Sequence, residues 1–120
     1  MYQFHFEPLD TNILKVSITG LPSADDIVAT LKAVGDKATE SQLHKVLFDI
    51  TQVSIELEVS QLVGLLKNGF GFLRPLVFAA VGNVGDFKHD LLNQIANNQG
   101  VKTQFFETEQ DAFKWLSEQA

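Results

Sequence analysis

The chain has 120 residues and a formal net charge of −6, with 45% hydrophobic and 20% charged residues. These values are typical of a globular protein, and we expect residues 1–120 to form a single domain. The acidic balance and the single arginine argue against nucleic-acid binding, which needs clustered Lys and Arg. The lack of cysteine excludes disulfides, thiolate metal sites and thiol nucleophiles. With no signal-peptide pattern and no apolar run long enough for a membrane span, a cytoplasmic protein is expected.

The first twenty residues predict a β-hairpin with one solvated face. Apolar and polar residues alternate over 2–7 and again over 14–19, as they do in strands with one buried side. The segment 8–12 between them, Pro-Leu-Asp-Thr-Asn, is rich in turn-forming residues. We therefore expect an antiparallel pair at the start of the chain.

The first helix is predicted to begin after Ser23. Serine is a preferred N-cap residue, and Asp25 and Asp26 place negative charge in the first turn, where the helix dipole favours it. Apolar residues then recur at helical spacing. The end of this helix is expected at Gly35 or in the polar segment 39–41.

Two apolar runs predict buried strands on either side of a second helix. The run 76–82, Leu-Val-Phe-Ala-Ala-Val-Gly, follows a proline and ends at glycines, which is typical of a strand covered on both faces. The run 45–50 is apolar except for Lys45 and for Asp49 near its end. Between the two strands, a second helix is expected within 56–69.

A third helix, a last strand and a final helix complete the pattern. Asp86 heads the third helix, the segment 97–100 stops it, a strand follows at 102–106, and the final helix begins near Glu109. The predicted inner face of the third helix consists of apolar residues: Phe87, Leu91, Leu92 and Ile95. The resulting order, β-β-α-β-α-β-α-β-α, predicts an α/β fold with a mainly parallel five-stranded sheet and an antiparallel N-terminal hairpin.

Three segments resemble the SpoIIAA-like group of STAS domains. They are the strand 46–50 with its Asp, the segment 78–83 (Phe-Ala-Ala-Val-Gly-Asn), and the tail 105–116. The resemblance implies a SpoIIAA-like fold, which is shared with CRAL-TRIO lipid-transfer domains. It also implies action by binding a partner protein, as in the anti-sigma-factor-antagonist branch.

In that branch a Ser at the start of the helix after the Asp-ending strand is phosphorylated. Here Asp49 matches the Asp of the family, but Glu58 falls near the position of that Ser. Ser54 and Ser60 flank it out of register, and an Asp-Ser-Ser-Gly motif is absent. The resemblance therefore implies an interaction edge at Asp49, Ser54, Glu58 and Ser60, but the phosphorylation switch of the family does not carry over to a matching serine, and phosphorylation of another serine stays open.

The second helix and the segment after it are unusually apolar. Because several apolar side chains left in water are a liability, this segment must pack on the sheet, form a homodimer face or line a groove for a small apolar ligand. The fold shared with lipid-transfer domains supports the ligand groove by analogy. The residues singled out for such a surface are Leu62, Leu66, Phe70, Phe72 and Leu73.

Catalytic, metal and cofactor sites have no support in the sequence. The loop Gly82-Asn83-Val84-Gly85 joins a strand to a helix and is a weak candidate anion loop, with a plain tight turn as the alternative. The histidines are spread over separate elements, so we expect surface histidines and no metal site. The leading hypothesis is a non-enzymatic binding module with a protein partner or a second copy, and the alternative is a carrier or sensor of a small apolar, lipid-like ligand.

Overall fold

The computed structural model describes residues 2–10, 12–69 and 73–119, with the side chains of Asp10 and of 65–69 outside the description. The predicted order of strands and helices is confirmed. The elements are β1 (Gln3–Asp10), β2 (Ile13–Gly20), α1 (Ala24–Ser41), β3 (Lys45–Val53), α2 (Val59–Gly69), β4 (Val77–Val81), α3 (Phe87–Asn98), β5 (Lys102–Phe106) and α4 (Glu109–Ser117).

The five strands lie in the order in which they occur along the chain, β1-β2-β3-β4-β5. β1 pairs with β2 antiparallel, and the other pairs are parallel, as predicted. Each parallel crossover steps to the next strand in the same direction, so right-handed connections place α1, α2 and α3 on one face of the sheet. On this three-helix face, α2 contacts both α1 and α3. The final helix α4 packs on the opposite face, against β3, β4 and β5.

Each face of the sheet carries a hydrophobic core, and β4 contributes to both. Phe78 faces the three helices, whereas Val77, Ala79 and Val81 face α4. The core on the three-helix face also contains Leu14, Val16, Val46, Leu62, Leu73 and Ile95. The core under α4 contains Ile13, Leu47, Ala112 and Leu116. The continuous apolar run of β4 is therefore explained by burial on both sides.

The ends of α1 are set by local hydrogen bonds. At the N-terminus, the Ser23 hydroxyl accepts a hydrogen bond from the Asp26 amide (3.1 Å), and the Ser23 amide donates to the Asp26 carboxylate (2.9 Å). This capping box confirms the predicted start. The helix continues through Gly35 and ends at Ser41, where Gln42 has a left-handed φ of 58°. Of the two predicted ends, the polar segment is correct and Gly35 is wrong.

The hairpin differs from the prediction in its turn. Pro8 lies within β1, and the strand continues to Asp10 after a register shift between these two residues. A proline is tolerated there because β1 is an edge strand, and its missing amide removes no central hydrogen bond. The predicted solvated face is confirmed, since Phe4 and Phe6 are partly buried and His5 is exposed.

Candidate functional site

The parallel strands bring four connections to one side of the molecule. We call this the carboxyl edge: the carboxyl ends of β2 to β5 and the loops and first two helical turns that follow them. The strand order does not reverse between β2 and β5, whereas open α/β sheets bind ligands in the crevice at such a reversal. The site at this edge is therefore a surface of loops and helix starts and not a crevice between strands.

Asp49 does not lie at the end of its strand. β3 continues to Val53, although its pairing with β4 ends at Asp49. The carboxylate accepts hydrogen bonds from the Thr51 amide (3.1 Å) and the Thr51 hydroxyl (2.7 Å). Because side chains alternate along a strand and Leu47 faces α4, Asp49 also points to the α4 face. Its carboxylate therefore stabilises a local bend, on the face opposite to α1, α2 and α3.

The charge on Asp49 acts on a lysine of the same face. Lys15 Nζ pairs with the carboxylate of Glu109 at 2.5 Å, and that pairing raises the pKa of Lys15. The nearby Asp49 carboxylate adds to this rise. Asp49 thus belongs to a charged group beside α4.

The other three residues of the predicted interaction edge do lie at the carboxyl edge. Ser54, Glu58 and Ser60 are all exposed, in the β3–α2 connection and the first turn of α2. The Ser54 amide donates to the Gly20 carbonyl (3.0 Å), which holds this connection beside the end of β2. The structure therefore groups Ser54, Glu58 and Ser60 and separates Asp49 from them.

Of the residues predicted to form an apolar ligand or dimer surface near α2, the structure describes the side chains of two. Leu62 and Leu73 are both fully buried within the monomer. Leu62 therefore has no surface to offer a second copy, whereas Leu73 lines a cavity. The side chain of Leu66, and Phe70 and Phe72 entirely, lie outside the described residues.

A cavity of about 120 Å³ lies between the sheet and the three-helix face. Its apolar wall includes Leu31, Phe48, Ile50, Val53, Phe78 and Leu92. The polar groups at its margin are satisfied within the protein: Tyr2 and Thr30 share a hydrogen bond of 2.5 Å, and Thr103 donates to Asn93 at 2.7 Å. Burial of the Tyr2 phenol raises its pKa. The cavity thus offers apolar contact and no free polar partner among the described residues.

The loop after β4 is a tight turn, and the amides of Gly82, Asn83 and Asp86 are used within the protein. The Gly82 amide donates to the Phe106 carbonyl (3.1 Å), and the Asp86 amide donates to the Asn83 carbonyl (3.0 Å). The Asp86 carboxylate caps α3 by accepting from the Lys88 amide (3.1 Å). The amides of Gly82 and Asn83 are therefore not available to an anion, which favours the tight-turn alternative, and the anion loop at Gly82, Asn83 and Gly85 stays a prediction.

His89 lies at the centre of the carboxyl edge and is fully buried, so its expected surface position is wrong. Its Nδ1 accepts a hydrogen bond from the Asn83 amide (3.1 Å), and its Nε2 lies 2.8 Å from the Val53 carbonyl. Because Nδ1 accepts here, this geometry places a ring proton on Nε2, which donates it to the Val53 carbonyl. The Asn83 side-chain amide donates to the Thr51 carbonyl (3.1 Å). His89 and Asn83 therefore join the ends of β3 and β4 to the first turn of α3.

Gly82 makes this arrangement possible by lacking a side chain. A Cβ added there would lie 2.7 Å from the ring of Phe105 and 3.0 Å from His89 Nδ1. Both distances are too short for a side-chain carbon without displacement of a ring. Glycine is therefore required here by close approach.

The carboxyl edge also collects exposed apolar side chains. Phe87 is 65% exposed, so its predicted place on the inner face of α3 is wrong. His89 and Leu92 face the cavity from α3 instead. The large apolar side chains that are at least 40% exposed in the described part of the chain all lie at this edge: Leu21, Val28, Val59, Val63, Val84 and Phe87. We call these six residues the apolar rim.

Solved structures with the same arrangement are found by comparison. An uncharacterised DUF3478-family protein with a SpoIIAA-like fold from Shewanella loihica PV-4 is 21% identical, with a TM-score of 0.65 over 96% of this chain and 93% of that chain. An anti-sigma factor antagonist from Mycobacterium paratuberculosis has the same TM-score at 14% identity, over 98% of this chain and 96% of that one. The chain has a SpoIIAA-like fold. The anti-sigma factor antagonist SpoIIAA in its unphosphorylated form is also 14% identical, with a TM-score of 0.61 over 98% of this chain and 100% of that one.

This SpoIIAA-like chain matches no protein-family model and no curated protein. None of the helices within residues 2–10, 12–69 and 73–119 is long and apolar enough to cross a membrane. The same residues contain no group of three or more His, Asp or Glu that could hold a metal ion. The apolar rim and the cavity are the two features of the described residues from which we infer a function.

Proposed function

We propose that this SpoIIAA-like protein is a non-catalytic binding module that acts by contact with another protein at its carboxyl edge. The observation that carries the proposal is the apolar rim. Exposed apolar residues scattered singly over a surface need no explanation, but here they follow three neighbouring strands on one edge. The anti-sigma factor antagonists among the solved structures of this fold support a regulatory role.

The size of the rim indicates a transient partner. Burying a Leu, Val or Phe side chain completely stabilises by roughly 1.5–3 kcal/mol, and the rim residues are only 40–65% exposed. Six of them therefore offer about 6 kcal/mol before the cost of association is subtracted. A micromolar complex needs about 8 kcal/mol net, so polar contacts must add to the rim. Ser54, Glu58 and Ser60 are exposed on the same edge and are positioned to supply them.

The proposal is tested by site-specific photo-crosslinking in the native cells. A photo-reactive residue replaces Val59 or Phe87 at the rim, and a control carries it at Gln42, which is exposed after the far end of α1. We expect the same discrete adduct with a second protein from both rim positions and none from Gln42. The proposal fails if the rim positions give no adduct, or if all three positions give the same set of adducts.

The cavity supports a second candidate function, the binding of a small apolar ligand. Its volume of about 120 Å³ approaches the roughly 150 Å³ of an engineered apolar cavity that binds benzene. Ala80 lines the cavity and is partly buried, so Ala80→Leu should fill part of the space. Benzene is expected to raise the melting temperature of the wild-type protein and not that of Ala80→Leu. An equal rise in both proteins would place benzene elsewhere and remove the support for this function.

A further inference from the structure

Acidic residues predominate at the carboxyl edge, which carries the apolar rim. Among residues 21–30, 54–65, 82–93 and 107–115, which form the carboxyl edge, carboxylates outnumber lysines by nine to two. Of these two lysines, Lys88 and Lys114, Lys88 donates through its Nζ to the Leu57 carbonyl (2.7 Å). The nine carboxylates are Asp25, Asp26, Glu56, Glu58, Asp86, Asp90, Glu107, Glu109 and Asp111.

Helix dipoles account for part of this charge. Asp25 and Asp26 begin α1, Asp86 caps α3, and Glu109 and Asp111 begin α4, all positions that favour acids. Four helix N-termini together supply only about two positive charges, however, and Lys88, Lys114 and the Lys15 paired with Glu109 supply three more, against nine carboxylates. A net excess of about four negative charges therefore remains at this edge.

The β3–α2 connection shows the excess most clearly. Glu56 and Glu58 precede α2 and are both exposed, whereas the first turn of α2 has no acidic residue. The Glu58 amide donates to the Gln61 side chain (2.9 Å), so the cap of this helix is supplied by an uncharged residue. Glu58 thus takes part in the cap through its backbone amide and carbonyl, and both glutamates precede Val59 of the rim in the sequence.

From the rim and its charge together we propose that the carboxyl edge binds a positively charged amphipathic protein segment, in which Lys and Arg flank an apolar stripe. This inference rests on the proposed function and names the class of its partner. The apolar stripe covers the rim, and the cations meet Glu56, Glu58 and the neighbouring carboxylates. A second copy of this edge, an anionic membrane and a nucleic acid would each bring negative charge against negative charge.

The test uses two synthetic amphipathic peptides with the same leucine stripe, one flanked by lysines and the other by glutamates. Each is titrated into the full-length protein, with affinity measured by calorimetry and the site mapped by amide NMR shifts. We expect the lysine peptide to bind with shifts confined to the carboxyl edge and with an affinity that falls as salt is added. The glutamate peptide and vesicles of anionic lipid should not bind. Preference for either of these over the lysine peptide would overturn the proposal.

Three variants separate specific docking from general attraction. Glu56→Lys with Glu58→Lys is expected to weaken the lysine peptide by about tenfold. Phe87→Ser removes apolar surface without changing a charge and should weaken binding of the lysine peptide several-fold. Glu40→Lys changes an exposed carboxylate near the far end of α1 and should leave affinity within twofold of wild type. Two results would show non-specific attraction and overturn the proposal. One is an affinity for the lysine peptide that is unchanged in Phe87→Ser. The other is a loss of affinity in Glu40→Lys as large as the loss in Glu56→Lys with Glu58→Lys.

The outcome is distinguishable from failure of the proposed function. If the rim crosslinks to a partner whose contact segment is neutral or acidic, the proposed binding function stands, and the proposal of a positively charged partner segment is wrong. If the lysine peptide docks at the rim while no protein crosslinks there in cells, the surface chemistry stands and the proposed function falls.

Discussion

Replacing His89 by leucine tests whether hydrogen bonds through this imidazole hold the carboxyl edge together. The ring is fully buried, and its two nitrogens contact the Asn83 amide and the Val53 carbonyl. Leucine fits the space but leaves both backbone groups without these partners. A buried unsatisfied group costs about 1–3 kcal/mol, and the extra apolar surface returns about 1 kcal/mol. We therefore expect His89→Leu to lower the free energy of unfolding by about 2–3 kcal/mol.

The assay is urea denaturation followed by the fluorescence of Trp115, the single tryptophan, which packs against Phe106 at 5.7 Å between ring centroids. For a chain of this length, 1 kcal/mol corresponds to about 4 °C, so the melting temperature should fall by about 8–12 °C. His5→Leu, at an exposed position on β1, is the matched control and should change stability by less than about 0.5 kcal/mol. His89→Gln, which retains a donor and an acceptor, should lose less than His89→Leu. Equal stabilities of His89→Leu and His5→Leu would show that the hydrogen bonds of His89 do not stabilise the fold.

Three further predictions follow from the same structure. Gly82→Ala forces its Cβ against Phe105 and should destabilise by about 1–3 kcal/mol in the same assay, whereas an unchanged midpoint would show that the ring moves freely. The phenolate absorbance of Tyr2, the single tyrosine, should show titration above the ordinary pKa of 10.0 in the folded protein and near it in urea, and equal values would contradict its burial. The raised pKa of Lys15 means that its pairing with Glu109 stabilises the fold below the ordinary pKa of 10.5 and loses effect as pH rises through the folded value. Lys15→Met should therefore cost up to about 1 kcal/mol at neutral pH and much less at strongly alkaline pH, and a cost that does not change with pH would contradict the pairing.

The arrangement of the sheet was predictable because its causes are local. Alternation over 2–7 and 14–19 predicts the hairpin, and the apolar run 76–82 predicts a strand that is buried on both faces. The cap at Ser23 was also predictable, since its partner, Asp26, is three residues away. Features that depend on neighbours in sequence were therefore accessible without a structure.

The length of β3 depended on a distant strand. The sequence placed its end near Asp49, but pairing with β2 resumes after a register shift, through Thr19 with Gln52 and Gly20 with Val53. No local pattern reports this pairing. The predicted interaction edge placed Asp49 beside Ser54, Glu58 and Ser60 because it assumed the same position of the strand end.

His89 is buried and Phe87 is exposed on α3, which is the reverse of the predicted arrangement. Apolar periodicity assigns a phenylalanine to the inside and a histidine to the outside of a helix. Burying the imidazole is favourable here only because Val53 and Asn83 supply an acceptor and a donor, and Val53 is 36 residues away. A weak signal was present, since His89, Leu92 and the buried Ala96 share one helical face at spacings of three and four residues.

The most direct test of a protein partner at the carboxyl edge is to crosslink the protein in its own cells, purify it, and record its native mass and then the denatured mass of the same sample. We expect a complex with a different polypeptide, which is absent when Val59 and Phe87 are both replaced by serine. A dimer of the chain itself, or a monomer carrying only a small molecule that leaves on denaturation, would contradict this expectation.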